Sequence, residues 1–104
     1  MSLILIYVTN PSRIVARRIA KHLLKKKLIA CANIYNSGVH SLYSWKGKIA
    51  EEKEVPMILK TVPKNWERVK AEIEKVHPYS IPCIIKIPAS ANRVFEDWVK
   101  ESIS

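Results

Sequence analysis

Residues 28–62 read LIACANIYNSGVHSLYSWKGKIAEEKEVPMILKTV, two extended runs joined by a short break. Leu28 to Trp45 mixes aliphatic residues with Tyr35, Tyr43 and Trp45, the composition of a strand. Asn36-Ser37-Gly38 interrupts it with residues that favour a bulge or kink. Lys46-Gly47-Lys48 reads as a hairpin turn, and Ile49 to Val62 as the return strand, centred on Val55, Met57, Ile58 and Leu59. Pro56 cannot donate a ladder hydrogen bond, which assigns its stretch to an edge or a bulge.

Working outward from this ribbon, the flanking segments complete a pattern. Leu3 to Val8 is a short apolar run, read as a buried strand. Asn10-Pro11-Ser12 breaks it and places Ser12 to cap a helix. Val15, Ala16, Ile19, Ala20, Leu23 and Leu24 then recur at helical spacing, and the helix is expected to end near Lys27. After Pro63, the residues Trp66, Val69, Ile73 and Val76 form one apolar stripe of a second helix, which His77-Pro78 stops. Ile81 to Pro88 reads as a last strand. Val94, Phe95, Trp98 and Val99 mark a short terminal helix with a Glu96/Lys100 pair on its surface.

The order βαββαβ folds most economically as two split βαβ units, so an α+β, ferredoxin-like sandwich is expected, with an extra C-terminal helix and a long ribbon between the second and third strands. Residues 1–104 are expected to form one domain. The second and fourth strands then lie at opposite edges. Cys31 and Cys83 would stand about 14 Å apart, too far for a disulfide, so two free thiols in a reducing cytoplasm are expected.

Composition narrows the function classes. No apolar run approaches the ~20 residues of a membrane-spanning helix. The chain has a formal net charge of +9, unevenly placed: residues 1–50 hold nine bases and no acid, and seven of those bases fall between Arg13 and Lys27. This is either an anionic-ligand footprint or a solvated helix face. There is no paired-cysteine spacing, no His-Glu-x-x-His, no calcium-loop cluster and, with two glycines, no phosphate-cradling loop. Nothing points to a catalytic triad, so an enzyme is not expected.

Four local patterns coincide in order and spacing: Leu28-Ile29-Ala30-Cys31-Ala32-Asn33-Ile34, Ser41-Leu42-Tyr43-Ser44-Trp45-Lys46-Gly47-Lys48, Glu54 ahead of Met57-Ile58-Leu59-Lys60-Thr61, and His77-Pro78-Tyr79-Ser80-Ile81-Pro82. Together they resemble the CutA family of divalent-cation tolerance proteins across essentially the whole chain. The resemblance implies a cytoplasmic homotrimer of ferredoxin-like subunits linked to tolerance of copper and other divalent cations. It implies no established reaction. The architecture is also similar to PII-type signalling trimers, which leaves a small-molecule sensor as the alternative. The chain departs from the family pattern at Asn36-Ser37, where a single Pro is common, at Ser44, the first of a frequent Trp pair, and at Cys83, where Glu is common. Val8 and Val76 replace a Cys and a His found in some bacterial members, so a copper site of that type would keep only His77.

The candidate site is a cleft between subunits containing Lys60, His77, Tyr79, Trp45, Tyr43 and Glu54. His77 either satisfies carbonyls at the helix end or ligates Cu or Zn through a neutral imidazole. Lys60 lies in an apolar strand, where it would pair with Glu54, a neighbour's acid or an anionic ligand. Tyr43 and Trp45 suit packing or an interface more than a cofactor. Cys31 and Cys83 are further candidate metal ligands, although Cys31 also reads as a small buried hydrophobe. His22 and His40 are assigned to the surface. Only weak binding of Cu or Zn is expected, with no resident cofactor. An RRM-like RNA-binding module is the rival of another class, but its central strands would need aromatic residues and offer only Tyr7. The basic charge also lies on a helix and not on the sheet face, so nucleic acid is not expected as a partner, nor is a membrane. Each arm of the ribbon could reach roughly 45–60 Å, beyond a domain with a radius of gyration near ~13 Å. The uncovered edges call for partner chains.

Overall fold

The computed structural model describes residues 2–104. In chain order it contains β1 (Leu3–Asn10), α1 (Arg13–Lys25), β2 (Cys31–Ile34), β3 (Val39–Trp45), β4 (Lys48–Thr61), a 3-10 turn (Pro63–Asn65), α2 (Trp66–Val76), β5 (Ile84–Ala89) and α3 (Arg93–Ser102). The strands form one antiparallel sheet in the order β2-β4-β1-β5, and β3 pairs with β4 beyond the end of β2. This is the ferredoxin-like α+β arrangement, with β2 and β5 at opposite edges. Both cysteines are unpaired thiols, as those positions require.

Alternation along β1 divides the sheet into two faces. Ile4, Ile6 and Val8 point to the helices and are fully buried against Ala16, Ile19 and Leu23 of α1 and Val69 and Ile73 of α2. Each such aliphatic side chain contributes about 1.5–3 kcal/mol by leaving water. A second cluster, Leu3, Ala30, Val62 and Val99, closes one end beneath α3. The opposite face of the sheet is only partly covered. There Leu5 stands beside Ile87 and Tyr7 beside Ile85, and Ile85 and Ile87 are 50% and 43% exposed.

The helix ends follow local chemistry. Ser12 Oγ accepts the Val15 N–H at 3.2 Å, the expected N-cap. At the other end Lys27 takes φ +56°, Leu28 N–H donates to Leu23 O and Lys27 N–H to Leu24 O. This is a Schellman termination with lysine in the left-handed position. It holds Leu28, Ile29 and Ala30 in the core before β2 starts.

The single second strand expected over Leu28–Trp45 is therefore two strands, β2 and β3, both on the same edge of β4. Between them Gly38 N–H donates to Tyr35 O and turns the chain. Gly38 has φ +79°, and a Cβ there would meet Glu54 O at 2.9 Å, so glycine lets β3 rejoin β4 at this point. Pro56 is not on an edge strand, since β4 has neighbours on both sides. Its carbonyl accepts from Tyr35 N–H. A residue's N–H and C=O point to the same side of an antiparallel strand, so the missing donor falls where the β2–β3 edge is broken. The β3–β4 hairpin closes through Lys46 and Gly47 at φ +51° and +78°, the two-residue type I′ geometry. The last strand starts at Ile84 rather than Ile81, because Ile81-Pro82-Cys83 has no partner on β1.

Candidate functional site

The end of α2 builds the site. His77 leaves the helix with extended backbone, and its N–H still closes the last turn on Ile73 O at 2.8 Å. Its ring is buried. Nδ1 accepts the Tyr79 N–H at 3.2 Å, which leaves Nε2 as the protonated nitrogen that donates to Thr9 O at 2.9 Å. Burial pushes the His77 pKa down, against the opposing effects of the Thr9 carbonyl and Glu54. The imidazole is neutral with both nitrogens occupied.

This arrangement aims Tyr79. Its ring lies 4.7 Å from that of His77, and its hydroxyl donates to Glu54 Oε2 at 2.9 Å. Burial and then the Glu54 carboxylate push the phenol pKa far up, so Tyr79 remains a donor at any physiological pH. Glu54 is 7% exposed, at the point where β3 joins β4. Two residues earlier on the same face of β4, Glu52 accepts from Tyr43 OH at 2.6 Å, and this bond raises the Tyr43 pKa.

Between the hairpin and the 77–83 segment lies a cleft of about 540 Å³. Tyr43, Ser44, Trp45, Glu52 and Glu54 line one side, and Thr9, Tyr79, Ser80, Ile81 and Cys83 the other. The lining carries two carboxylates, three aromatic rings and no cation. A polarised ring face and a carboxylate both favour positive charge.

Residues 4–102 match the family model described as CutA1 divalent ion tolerance protein. The chain belongs to the CutA1 family. It is 44% identical over 98 residues to the divalent-cation tolerance protein CutA of Pyrococcus horikoshii, covering 94% of this chain and 92% of that one. The structure of CutA from Archaeoglobus fulgidus, described as a periplasmic protein, superposes with a TM-score of 0.94 at 41% identity and covers 98% of this chain and 99% of its own. CutA1 from Ehrlichia chaffeensis superposes at 0.92 with 39% identity, covering 98% and 95%. No helix among the described residues is long and apolar enough to cross a membrane.

In this CutA1 chain the sequence-derived candidates divide into two groups. Tyr43, Trp45, Glu54, Tyr79 and Cys83 meet in the cleft. His77 stands behind it, with Nδ1 and Nε2 both engaged in hydrogen bonds, as in the structural one of its two expected roles. Lys60 and Cys31 lie elsewhere. They face each other across β2 and β4, and Lys60 is opposite Leu5 on β1. Lys60 is six residues past Glu54, about 20 Å along the strand, and its ammonium sits 5.4 Å from the Phe95 ring. It cannot pair with Glu54 of its own chain. Burial pushes the Cys83 thiol pKa up, with hydrogen bonding to Thr9 partly opposing. Among the described residues no three His, Cys, Asp or Glu side chains converge on a common point. One chain therefore does not fit a tightly held metal ion. Of His22 and His40, the second is exposed, but His22 bonds Glu72 at 2.8 Å, beside Lys26 at 3.0 Å, and ties α1 to α2. Those two partners hold the Glu72 carboxyl down to about 2.

Thr9, Ser44, Glu52, Ser80 and Ile81 complete the lining, none of them named as a site residue from the sequence. Glu52 was reachable by alternation, since residues two apart on a strand share a face. Thr9 was not, because its place depends on β1–β4 register.

Proposed function

We propose that the whole chain, residues 1–104, acts as one ferredoxin-like subunit of a homotrimer that serves divalent-cation tolerance in the cytoplasm without catalysing a reaction. The trimer takes a metal ion such as copper, or a small ligand, weakly in the cleft at the root of the β3–β4 hairpin. The observation that carries this reading is the Tyr79–Glu54 bond at 2.9 Å inside an acidic, aromatic cleft. The relatives' shared name, divalent-cation tolerance protein, supports the tolerance role. The partly exposed Tyr7, Ile85 and Ile87 face supports self-association, because it runs directly from the cleft along the sheet. On this reading a neighbouring subunit closes the cleft and adds the donors that one chain lacks.

Light scattering combined with calorimetric titration of copper tests it. A particle of three 11.9 kDa chains is expected, with weak copper binding that Glu54→Gln reduces and His77→Ala affects only through the position of Tyr79. A stable monomer at micromolar concentration, or copper affinity unchanged in Glu54→Gln, would overturn it.

A further inference from the structure

The exposed face of α1 plays no part in the cleft, and like charges stand next to one another along it. α2 and α3 each carry an acid in the first turn and a base in the last, Glu67 with Lys75 and Glu96 with Lys100. Their surface pairs Lys70–Glu67, Lys75–Glu72 and Lys100–Glu96 are of opposite sign. Both helices complement their own dipoles. α1 follows this rule only at its end, where His22 and Lys25 stand in the last turn. It has no acid in its first turn, which begins with Arg13, and Arg13/Arg17, Arg17/Lys21 and Lys21/Lys25 are like-charge neighbours four residues apart. Each of these features destabilises an isolated helix.

Nor are these charges neutralised from outside α1. Glu72, the acid that reaches α1, is taken by His22, Lys26 and Lys75. Arg13, Arg17, Arg18, Lys21 and Lys25 are exposed and form no ion pair among the described residues. Five exposed cations without an acidic partner concentrate positive potential along one helix face.

We propose that the exposed face of α1 docks on the phosphate backbone of a nucleic-acid duplex, without reading its bases. Arg13, Arg17, Lys21 and Lys25 follow one i, i+4 ridge, about 6 Å apart and about 18 Å from first to last, with Arg18 alongside. A line of cations matches a linear polyanion, and arginine bonds phosphate in bidentate fashion. A lipid surface is a poorer occupant. The apolar face of α1 is already committed to the core, the helix carries no Phe, Tyr or Trp, and its exposed apolar side chains, Ile14 and Leu24, sit at opposite ends. With His22 engaged by Glu72, no ring is free to stack on bases, so contact is confined to the backbone.

The test is fluorescence anisotropy of a labelled 24-base-pair DNA duplex against the intact protein between 50 and 300 mM salt. A dissociation constant of about 10⁻⁶–10⁻⁴ M near physiological salt is expected, with a slope of log K against log salt of about −4 for four to five phosphate contacts. Arg17→Gln/Lys21→Gln should shrink that slope by about 2 and weaken binding at least tenfold, while circular dichroism stays unchanged. Lys64→Gln/Arg68→Gln, with the same loss of charge on the 3-10 turn and the start of α2, should change affinity less than threefold. No binding at 50 mM salt, or equal losses from the two double variants, overturns the proposal. So does competition by phosphatidylserine vesicles or polyglutamate, at equal charge, as effective as competition by unlabelled duplex.

Discussion

His77 positions Tyr79 through its own ring: Nδ1 accepts the Tyr79 amide at 3.2 Å while Nε2 donates to Thr9 O at 2.9 Å. Three segments, the end of β1, the end of α2 and the loop to β5, are thereby joined by one neutral imidazole. Protonation at Nδ1 would turn its acceptor into a donor facing another donor. Because the folded pKa lies below the usual value near 6.5, the unfolded chain binds the proton more readily. Stability from this group is present above about pH 6.5 and is lost as pH falls towards the depressed folded value. Thermal unfolding of wild type should show a lower midpoint at pH 5.5 than at 7.5, and His77→Ala should flatten that difference. An equally steep profile in the variant would remove His77 from this role.

The Tyr79–Glu54 contact should show as a measurable coupling. A hydrogen bond to a carboxylate that is largely removed from water contributes about 1.5–3 kcal/mol. Tyr79→Phe, Glu54→Gln and the double variant form a cycle whose interaction energy should fall in the lower half of that range, since Tyr79 is part-exposed. Urea denaturation of the four proteins measures it. Strict additivity would mean that the pair is not formed in solution.

Lys27 sits in the left-handed region at φ +56°, where a side chain is strained and glycine is not. Its ammonium reaches Ser104 O only at 3.5 Å on the surface, so little is lost with the side chain. Lys27→Gly is expected to stabilise the fold by about 0.5–1 kcal/mol, read as a raised denaturant midpoint at unchanged slope. A lowered midpoint would show that the contacts of the lysine stem outweigh the strain.

What the sequence made legible follows the range of the interactions involved. The Ser12 cap, the Lys46-Gly47 turn and the helix stop at His77-Pro78 depend on a few adjacent residues, and all three stand where local chemistry places them. The strand order followed from the alternation of element types. Which residues of its own chain surround Lys60 depends on register along a 14-residue strand, a non-local quantity that its own residues do not state. Of the aromatic and acidic members of the cleft, Tyr43, Trp45, Tyr79 and Glu54 were named from the sequence and Glu52 was not. The support that His77 gives depends on which partners occupy its two nitrogens, and only the packed geometry supplies those.

The last prediction concerns the face of the sheet that α1 and α2 leave open. Ile85 and Ile87 stand on β5 opposite Tyr7 and Leu5, so the four side chains form two adjacent cross-strand pairs. α3 covers one end of this face, and Trp98 beside it is itself 45% exposed. A contiguous apolar patch of this kind marks an interaction surface, and a charge placed in it would have to be buried on association. In the single chain the same positions are half open to water, so the charge there costs the monomer little. Ile85→Glu/Ile87→Glu is therefore expected to shift light scattering from a trimer to a monomer, while the far-ultraviolet circular dichroism of the monomer stays close to that of wild type. Titration of a ligand into that monomer should then show the loss of any affinity that a neighbouring subunit supplies to the Tyr79–Glu54 cleft. An assembly that survives both substitutions would move the interface off this face and onto the exposed edges of the β3–β4 hairpin.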